Sequence, residues 1–170
     1  MPTIRPARSD DVPAIQRVAR RTWHAAYDAI IGPDAVDAKV DEWYADATVT
    51  DSVTDDATTY LVADDDGVVG YAAAGPIADD DAGPAGEDAT GLYAIYVHPD
   101  RWGASVGSQL FDAVTDRLRD RGFERLRIRV LAENDRARSF YERHGATLVD
   151  RQRIDLAGVT VAEVTYEHDL

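Results

Sequence analysis

The stretch LYAIYVHPDRWGASVGSQLFDAVTDRL, Leu92 to Leu118, decides the architecture because it reads as strand, turn and helix. Leu92 to Val97 is a run of apolar and aromatic strand formers, and Pro99 ends it because proline has no amide hydrogen for the ladder. Beyond the break Val106, Leu110, Val114 and Leu118 recur every four residues with Phe111 beside them, the one-sided stripe of an amphipathic helix. Between the two lies Trp102-Gly103-Ala104-Ser105-Val106-Gly107. Small residues with a permissive backbone at a helix start let main-chain amides converge on an anion, and the helix dipole adds partial positive charge there. The loop is therefore a candidate phosphate cradle, with simple small-residue packing of helix on strand as the competing reading. It matches neither common nucleotide loop: no Gly-Lys-Ser/Thr follows the glycines, and no GxGxxG follows the strand.

Working outward, Arg125 to Leu131 alternates Leu126, Ile128 and Val130 with arginines, so one side of that strand is apolar and the other charged. Strand, helix and strand in this order form a crossover unit, which predicts that the Leu92 and Leu126 strands are parallel neighbours. Asn134 or Asp135 caps a helix carrying Ala137, Phe140, Tyr141 and His144 on one side, closed by Gly145. Thr147 to Leu156 and Val159 to His168 form a hairpin around Ala157-Gly158, with a bulge expected at Ala162-Glu163, where the apolar phase slips. On the N-terminal side, Thr3 to Ala7 is a short strand, and Ser9-Asp10-Asp11 offers a cap and acidic first turn to a helix with Pro13 near its start. Val12, Ile15, Ala19, Thr22, Trp23, Ala26 and Ile30 mark its buried face up to Gly32-Pro33, and a second helix follows from about Asp34 to Ala45. Thr48 to Thr58 is weakly patterned and reads as loop or irregular helix. Thr59 to Ala63 and Val68 to Gly75 are hairpin strands joined by Asp64-Asp65-Asp66-Gly67, and Ala78 to Thr90 reads as an exposed, mobile loop.

The 170 residues, 45% of them hydrophobic, suit one domain with a single core over residues 1–170, without a linker or repeat. The net charge of -14 repels nucleic acid and anionic membranes, which points to small molecules or cationic groups as partners. Aspartate excess, a single lysine (Lys39) and scattered charge resemble proteins of organisms with a salty cytoplasm, so the acidity reads as solvated surface. The absence of cysteine excludes disulfides, a thiol nucleophile and a zinc-thiolate site. No apolar run approaches the roughly 20 residues that span a bilayer, and no signal peptide is evident, so a cytoplasmic location is expected.

Val97-x-Pro99-x-x-Trp102-x-x-Ser105-x-Gly107 resembles the acyl-CoA loop of the GNAT N-acyltransferase superfamily, V-x-P-x-x-(Q/R)-x-x-G-x-(G/A). Trp102 departs from it at the Gln/Arg position and Ser105 at the middle glycine, where a left-handed backbone would strain a residue with a Cβ. Asn134, Ala137, Phe140, Tyr141 and Gly145 are similar to the family's second CoA motif, N-x-x-A-x-x-F-Y-x-x-x-G, and stand one strand behind the first. The element order also resembles the GNAT fold. That resemblance implies an α/β architecture: a mixed sheet of about seven strands, a parallel central pair splayed around acyl-CoA, and about four flanking helices.

The resemblance further implies an N-acyltransferase that uses acetyl-CoA as cosubstrate and moves the acetyl group to a primary amine of a small molecule or protein. No metal is implied, and a homodimer is left open. The main chain of Ile95, Tyr96 and Val97 would pair with the pantetheine arm. The loop from Trp102 through Gly103, Ala104, Ser105, Val106, Gly107 and Ser108 would hold the pyrophosphate, and Asn134 would fix the arm near the thioester. Tyr141 would lie beside the sulfur and protonate the leaving thiolate; packing helix on sheet is its alternative role. Trp23 and Tyr27, with Trp43 and Tyr44, would form an aromatic wall for an amine acceptor, or ordinary helix packing. His24 and His98 read as structural or exposed. No general base is evident: Gly91 and arginines such as Arg129 occupy the places where a glutamate is expected, and Glu133, Glu87 and Asp88 read as surface. A water chain or an amine arriving deprotonated would serve equally. The alternative is a CoA-binding sensor or interaction module on the same fold.

Overall fold

A computed structural model describes residues 2–77 and 89–170. In chain order the elements are β1 (Thr3–Pro6), α1 (Val12–Ile31), α2 (Pro33–Trp43), α3 (Asp46–Thr54), β2 (Thr59–Asp64), β3 (Val68–Gly75), β4 (Ala89–Val97), α4 (Val106–Asp120), β5 (Arg125–Leu131), α5 (Asp135–Arg143), β6 (Thr147–Leu156) and β7 (Val159–Asp169). Short 3-10 turns occupy Ser9–Asp11 and Pro99–Arg101. The strands form one sheet in the order β1-β2-β3-β4-β5-β7-β6, antiparallel except for the β4–β5 pair. The β4–β5 pair is the parallel neighbour pair that the crossover pattern predicts, within the mixed sheet of seven strands that the resemblance implies. Most of the loop expected from Ala78 to Thr90 lies outside the described residues; its last two positions, Ala89 and Thr90, already belong to β4.

Both sheet faces are covered because the central strands alternate between two apolar layers. On one face Leu61, Leu92, Leu126, Ile128, Val164 and Tyr166 pack with Leu110, Phe111, Val114 and Leu118 of α4. On the other, Tyr60, Val62 and Tyr71 meet Ile15, Val18 and Ala19 of α1, and further along α1 Trp23, Tyr27 and Ile31 pack with α2, Leu131, Leu156 and Val161. The buried residues of α1, from Val12 to Ile31, keep helical spacing, and Gly32 at φ 90° lets the chain turn directly into Pro33 of α2.

Two local expectations change, and one left open between loop and irregular helix resolves as a helix. The acidic residues before α1 do not cap it; the Asp11 carboxylate instead accepts two hydrogen bonds from the Arg5 guanidinium, at 2.8 and 2.9 Å, and one from the Arg8 amide at 2.8 Å. The weakly patterned segment around Thr48 is a helix, α3, whose buried Val49 and half-buried Val53 reach the core under β2 and β3. The bulge lies on β6, where Val149 is skipped between the Leu148–Tyr166 and Asp150–Thr165 pairs, while Ala162 and Glu163 pair in register. An exposed edge strand accommodates an extra residue, whereas slippage of β7 would turn its buried side chains away from α4. Among the described residues no helix is long and apolar enough to cross a membrane.

Candidate active site

The site begins where the parallel pair separates. β4 pairs with β5 only from Ala89–Arg125 to Leu92–Ile128. At that point the β3–β4 register skips Tyr93, and a bulge bends its strand. From there β4 continues to Val97 against β3 alone, and β5 continues to Leu131 against β7 alone. A cleft opens between them.

One side of the cleft is a cavity of about 370 Å³. It is lined by Ile95, Tyr96 and Val97, by Trp102, Gly103 and Ser105 to Ser108 of the loop, and by Asn134, Phe140 and Tyr141. The loop's backbone is specialised: Gly103 stands at φ 83°, and Ser105, immediately before α4, at φ 66° and ψ 11°, the left-handed conformation that its place in the loop motif demands. The amides of Gly103, Ser105, Val106, Gly107 and Ser108 have no main-chain acceptor among the described residues. Helix N-terminal amides in this state attract anions. Ala104 departs from the group: it is exposed, does not line the cavity, and its amide donates to the Arg101 carbonyl at 3.3 Å.

Charge and shape reinforce the cradle. In a chain of net charge -14 this cavity is lined by Arg101, Arg136 and Arg143. Trp102 donates its indole N–H to the Val97 carbonyl at 2.8 Å and carries the Arg136 guanidinium over its ring at 4.2 Å. The Thr22 hydroxyl also reaches the Val97 carbonyl, at 3.3 Å, so that edge group of β4 is already engaged. A Cβ on Gly107 would stand 3.4 Å from Phe140, which fits helix to helix behind the cradle.

The other side of the cleft is a larger cavity, of about 910 Å³. Trp23, Tyr27, Trp43 and Tyr44 form its aromatic wall, and Tyr96 lines both cavities. The Tyr96 and Tyr27 hydroxyls are hydrogen bonded at 2.9 Å, and the Asn134 side-chain amide reaches the Tyr27 oxygen at 3.4 Å. Asn134 is oriented for this because its carbonyl oxygen accepts from the Ala137 amide at 3.2 Å, capping α5. Tyr141 is buried against the smaller cavity, and no hydrogen bond to a described residue contributes to the environment of its hydroxyl. Burial, with Tyr27 adding to it, pushes this hydroxyl above its ordinary range, so it stays protonated.

Strand alternation supplies the floor of the larger cavity. Arg127 and Arg129 of β5, Gln152 of β6, and Glu163 and Thr165 of β7 all face it. Glu163 accepts from Gln152 at 3.0 Å and lies 3.9 Å from the Arg129 Nε. The charged face of β5 was legible in its period, but its junction with Glu163 depends on the β5–β7 register. Among the carboxylates considered from sequence, Glu133 is exposed and lines neither cavity, while Glu87 and Asp88 lie outside the described residues. His24 is structural: its ring nitrogens contact Asp28 at 2.6 Å and Asp37 at 2.8 Å, joining α1 to α2.

Splayed strands, a turn of amides without main-chain acceptors and a second cavity across the same strand define the class of this α/β protein. The profile of the acetyltransferase (GNAT) family matches residues 17–146. YuaI of Bacillus subtilis, an uncharacterized N-acetyltransferase, is 28% identical over 165 residues, covering 96% of this chain and 91% of that protein. The PaiA N-acetyltransferase of Thermoplasma acidophilum, solved in complex with coenzyme A, has a TM-score of 0.85 at 19% identity, covering 100% of this chain and 99% of that one. YncA of Salmonella typhimurium, solved with its cofactor acetyl-CoA, has a TM-score of 0.70 at 20% identity, over 99% and 94% of the two chains. The chain belongs to the acetyltransferase (GNAT) family and is an acyltransferase of the GNAT type.

Proposed function

We propose that the protein, a single GNAT domain over its 170 residues, transfers an acetyl group from acetyl-CoA to a primary amine by direct attack in a ternary complex. The observation that carries this reading is the pair of cavities sharing Tyr96, one with unpaired amides and arginines, the other aromatic and carboxylate-bearing. The coenzyme A and acetyl-CoA held by PaiA and YncA support the donor's identity.

In this reading the amides of Gly103 and Ser105 to Ser108 take the pyrophosphate, with Arg101, Arg136 and Arg143 offsetting the phosphate charge. The pantetheine arm lies along Ile95 to Val97 in the cleft left by β5. The amine enters from the aromatic side, and its lone pair attacks the thioester carbonyl, forming the carbon–nitrogen bond. Collapse of the tetrahedral intermediate breaks the carbon–sulfur bond, and the Tyr141 hydroxyl protonates the departing thiolate. Two neutral products leave, an amide and a thiol, and one proton from the original ammonium passes to solvent.

The test is release of CoA thiol from acetyl-CoA across a panel of amines in high salt, which should exceed hydrolysis without amine. Release independent of every amine, together with tight CoA binding, would point to a sensor. Stabilisation by ATP or NAD but not by acetyl-CoA would exclude both readings.

A further inference from the structure

An alkylamine is an ammonium ion at neutral pH and has no lone pair to attack with, so its proton needs an acceptor near the thioester. From the geometry of the larger cavity we infer that Glu163 holds the acceptor's ammonium group and takes that proton, an assignment that rests on the acetyl-transfer reading above.

Among the described residues two carboxylates line this cavity, Asp150 and Glu163. Asp150 is exposed on edge strand β6, next to its bulge, whereas the Glu163 side chain is only 13% exposed. Glu163 stands opposite Leu131, the last residue of β5, beyond the point where β4 and β5 part at Leu92–Ile128. It therefore lies at the open end of the cleft, on the same sheet face as the aromatic wall. Gln152 from β6 donates to one of its oxygens at 3.0 Å and orients the carboxylate. The charged and titratable groups lining the same cavity are Arg129 and Arg127 of β5, Asp150 of β6 and the hydroxyls of Tyr27, Tyr44, Tyr60, Tyr93 and Tyr96, with Glu167 of β7 beside Arg127. Arg127 is committed to Glu167 at 2.9 Å. The aromatic residues Trp23, Tyr27 and Tyr96 line the same cavity, a composition that suits a cation.

The chemical step balances: one N–H bond of the ammonium breaks, its proton goes to a Glu163 carboxylate oxygen and then to water, and the freed lone pair forms the bond to the acetyl carbon. Glu163→Gln keeps size and the hydrogen bond to the neighbouring strand but cannot accept the proton. With butylamine and 2-phenylethylamine as probes, it should lower kcat/KM for the amine roughly 100-fold at pH 7. The deficit should shrink to about threefold by pH 10, where an alkylamine supplies its own free base. Glu163→Asp should retain a wild-type pH profile at reduced rate, and the melting shift given by CoA should be unchanged in both variants. A Glu163→Gln profile parallel to wild type, or a rate within about twofold at pH 7, would overturn the assignment.

Should the wild type transfer acetyl to neither probe, the acetyl-transfer reading fails for these amines, and calorimetry on CoA-saturated protein at pH 7 still decides the role of Glu163. At least tenfold weaker amine binding by Glu163→Gln supports it. Equal affinity, or no amine binding by the wild type, overturns it.

Discussion

The hydroxyls of Tyr27 and Tyr96 lie 2.9 Å apart although 69 residues separate them, and Tyr96 borders both cavities of the cleft. Tyr141, in contrast, lines the smaller cavity, and its hydroxyl is governed by burial with no hydrogen bond to a described residue. In the proposed mechanism the contrast separates a tyrosine that holds the site together from one that would donate a proton.

Tyr141→Phe should therefore lower turnover by roughly 10- to 1,000-fold with little change in CoA binding or melting temperature. Tyr96→Phe should behave in the opposite sense, losing about 1 kcal/mol of stability with the Tyr27 bond. Steady-state kinetics against one amine, with melting curves on both variants, checks this. A Tyr141→Phe rate within about twofold of wild type would assign its proton to water or substrate.

Ser105 occupies the left-handed region at φ 66° without a side-chain cap bond to offset the strain. Ser105→Gly relieves about 1 kcal/mol of strain and gives part of it back through the freer unfolded chain. The net expectation is a small gain in stability with CoA affinity kept or improved. Gly107→Val should do the reverse, because a Cβ would already stand in contact with Phe140 at 3.4 Å and Val97 at 3.9 Å, and two further methyls add bulk against them or into the cradle. Denaturant midpoints and CoA titrations read both.

Trp102 stands where the family loop has Gln or Arg, and it joins Val97 to Arg136. Trp102→Phe keeps a ring but drops the indole donor, a loss of about 1 kcal/mol in preorganisation. CoA should bind roughly fivefold more weakly, with the turnover number for bound substrate unchanged. Calorimetry with CoA measures it directly.

Asp11, mostly buried, ties the turn before α1 to Arg5 of β1, and Arg5 in turn reaches Asp64 of β2 at 3.1 Å. The hydrogen bond from Arg5 outweighs burial and holds the Asp11 carboxyl below its ordinary 3.8. A depressed pKa contributes stability that is complete above the unfolded value and lost as pH falls through the folded one. Asp11→Asn should cost about 2 kcal/mol at pH 7, and the difference from wild type should narrow below pH 3. Urea unfolding at pH 7, 4 and 2.5 tests the sign; a difference that widens on acidification would contradict it.

How much of this was legible beforehand divides along a physical line. The strand–loop–helix of Leu92 to Leu118, the strand–helix–strand pattern that continues to Arg125 and a helix cap at Asn134 or Asp135 are written in local sequence. Apolar period, proline and a short polar side chain reporting on the next turn of backbone each act within a few residues, so the chain alone determined them. The left-handed backbone at Ser105 followed instead from the resemblance of its loop to one that carries glycine at that place. α3 was obscure because only Val49 is buried on it, too little to make a period. The Asp11–Arg5–Asp64 tie, the Tyr27–Tyr96 bond and the seating of Glu163 opposite Leu131 were decided only when distant elements packed. Their geometry depends on register and on which sheet face a helix covers. A two-residue period specifies that a strand has two faces, not what lies across from either of them.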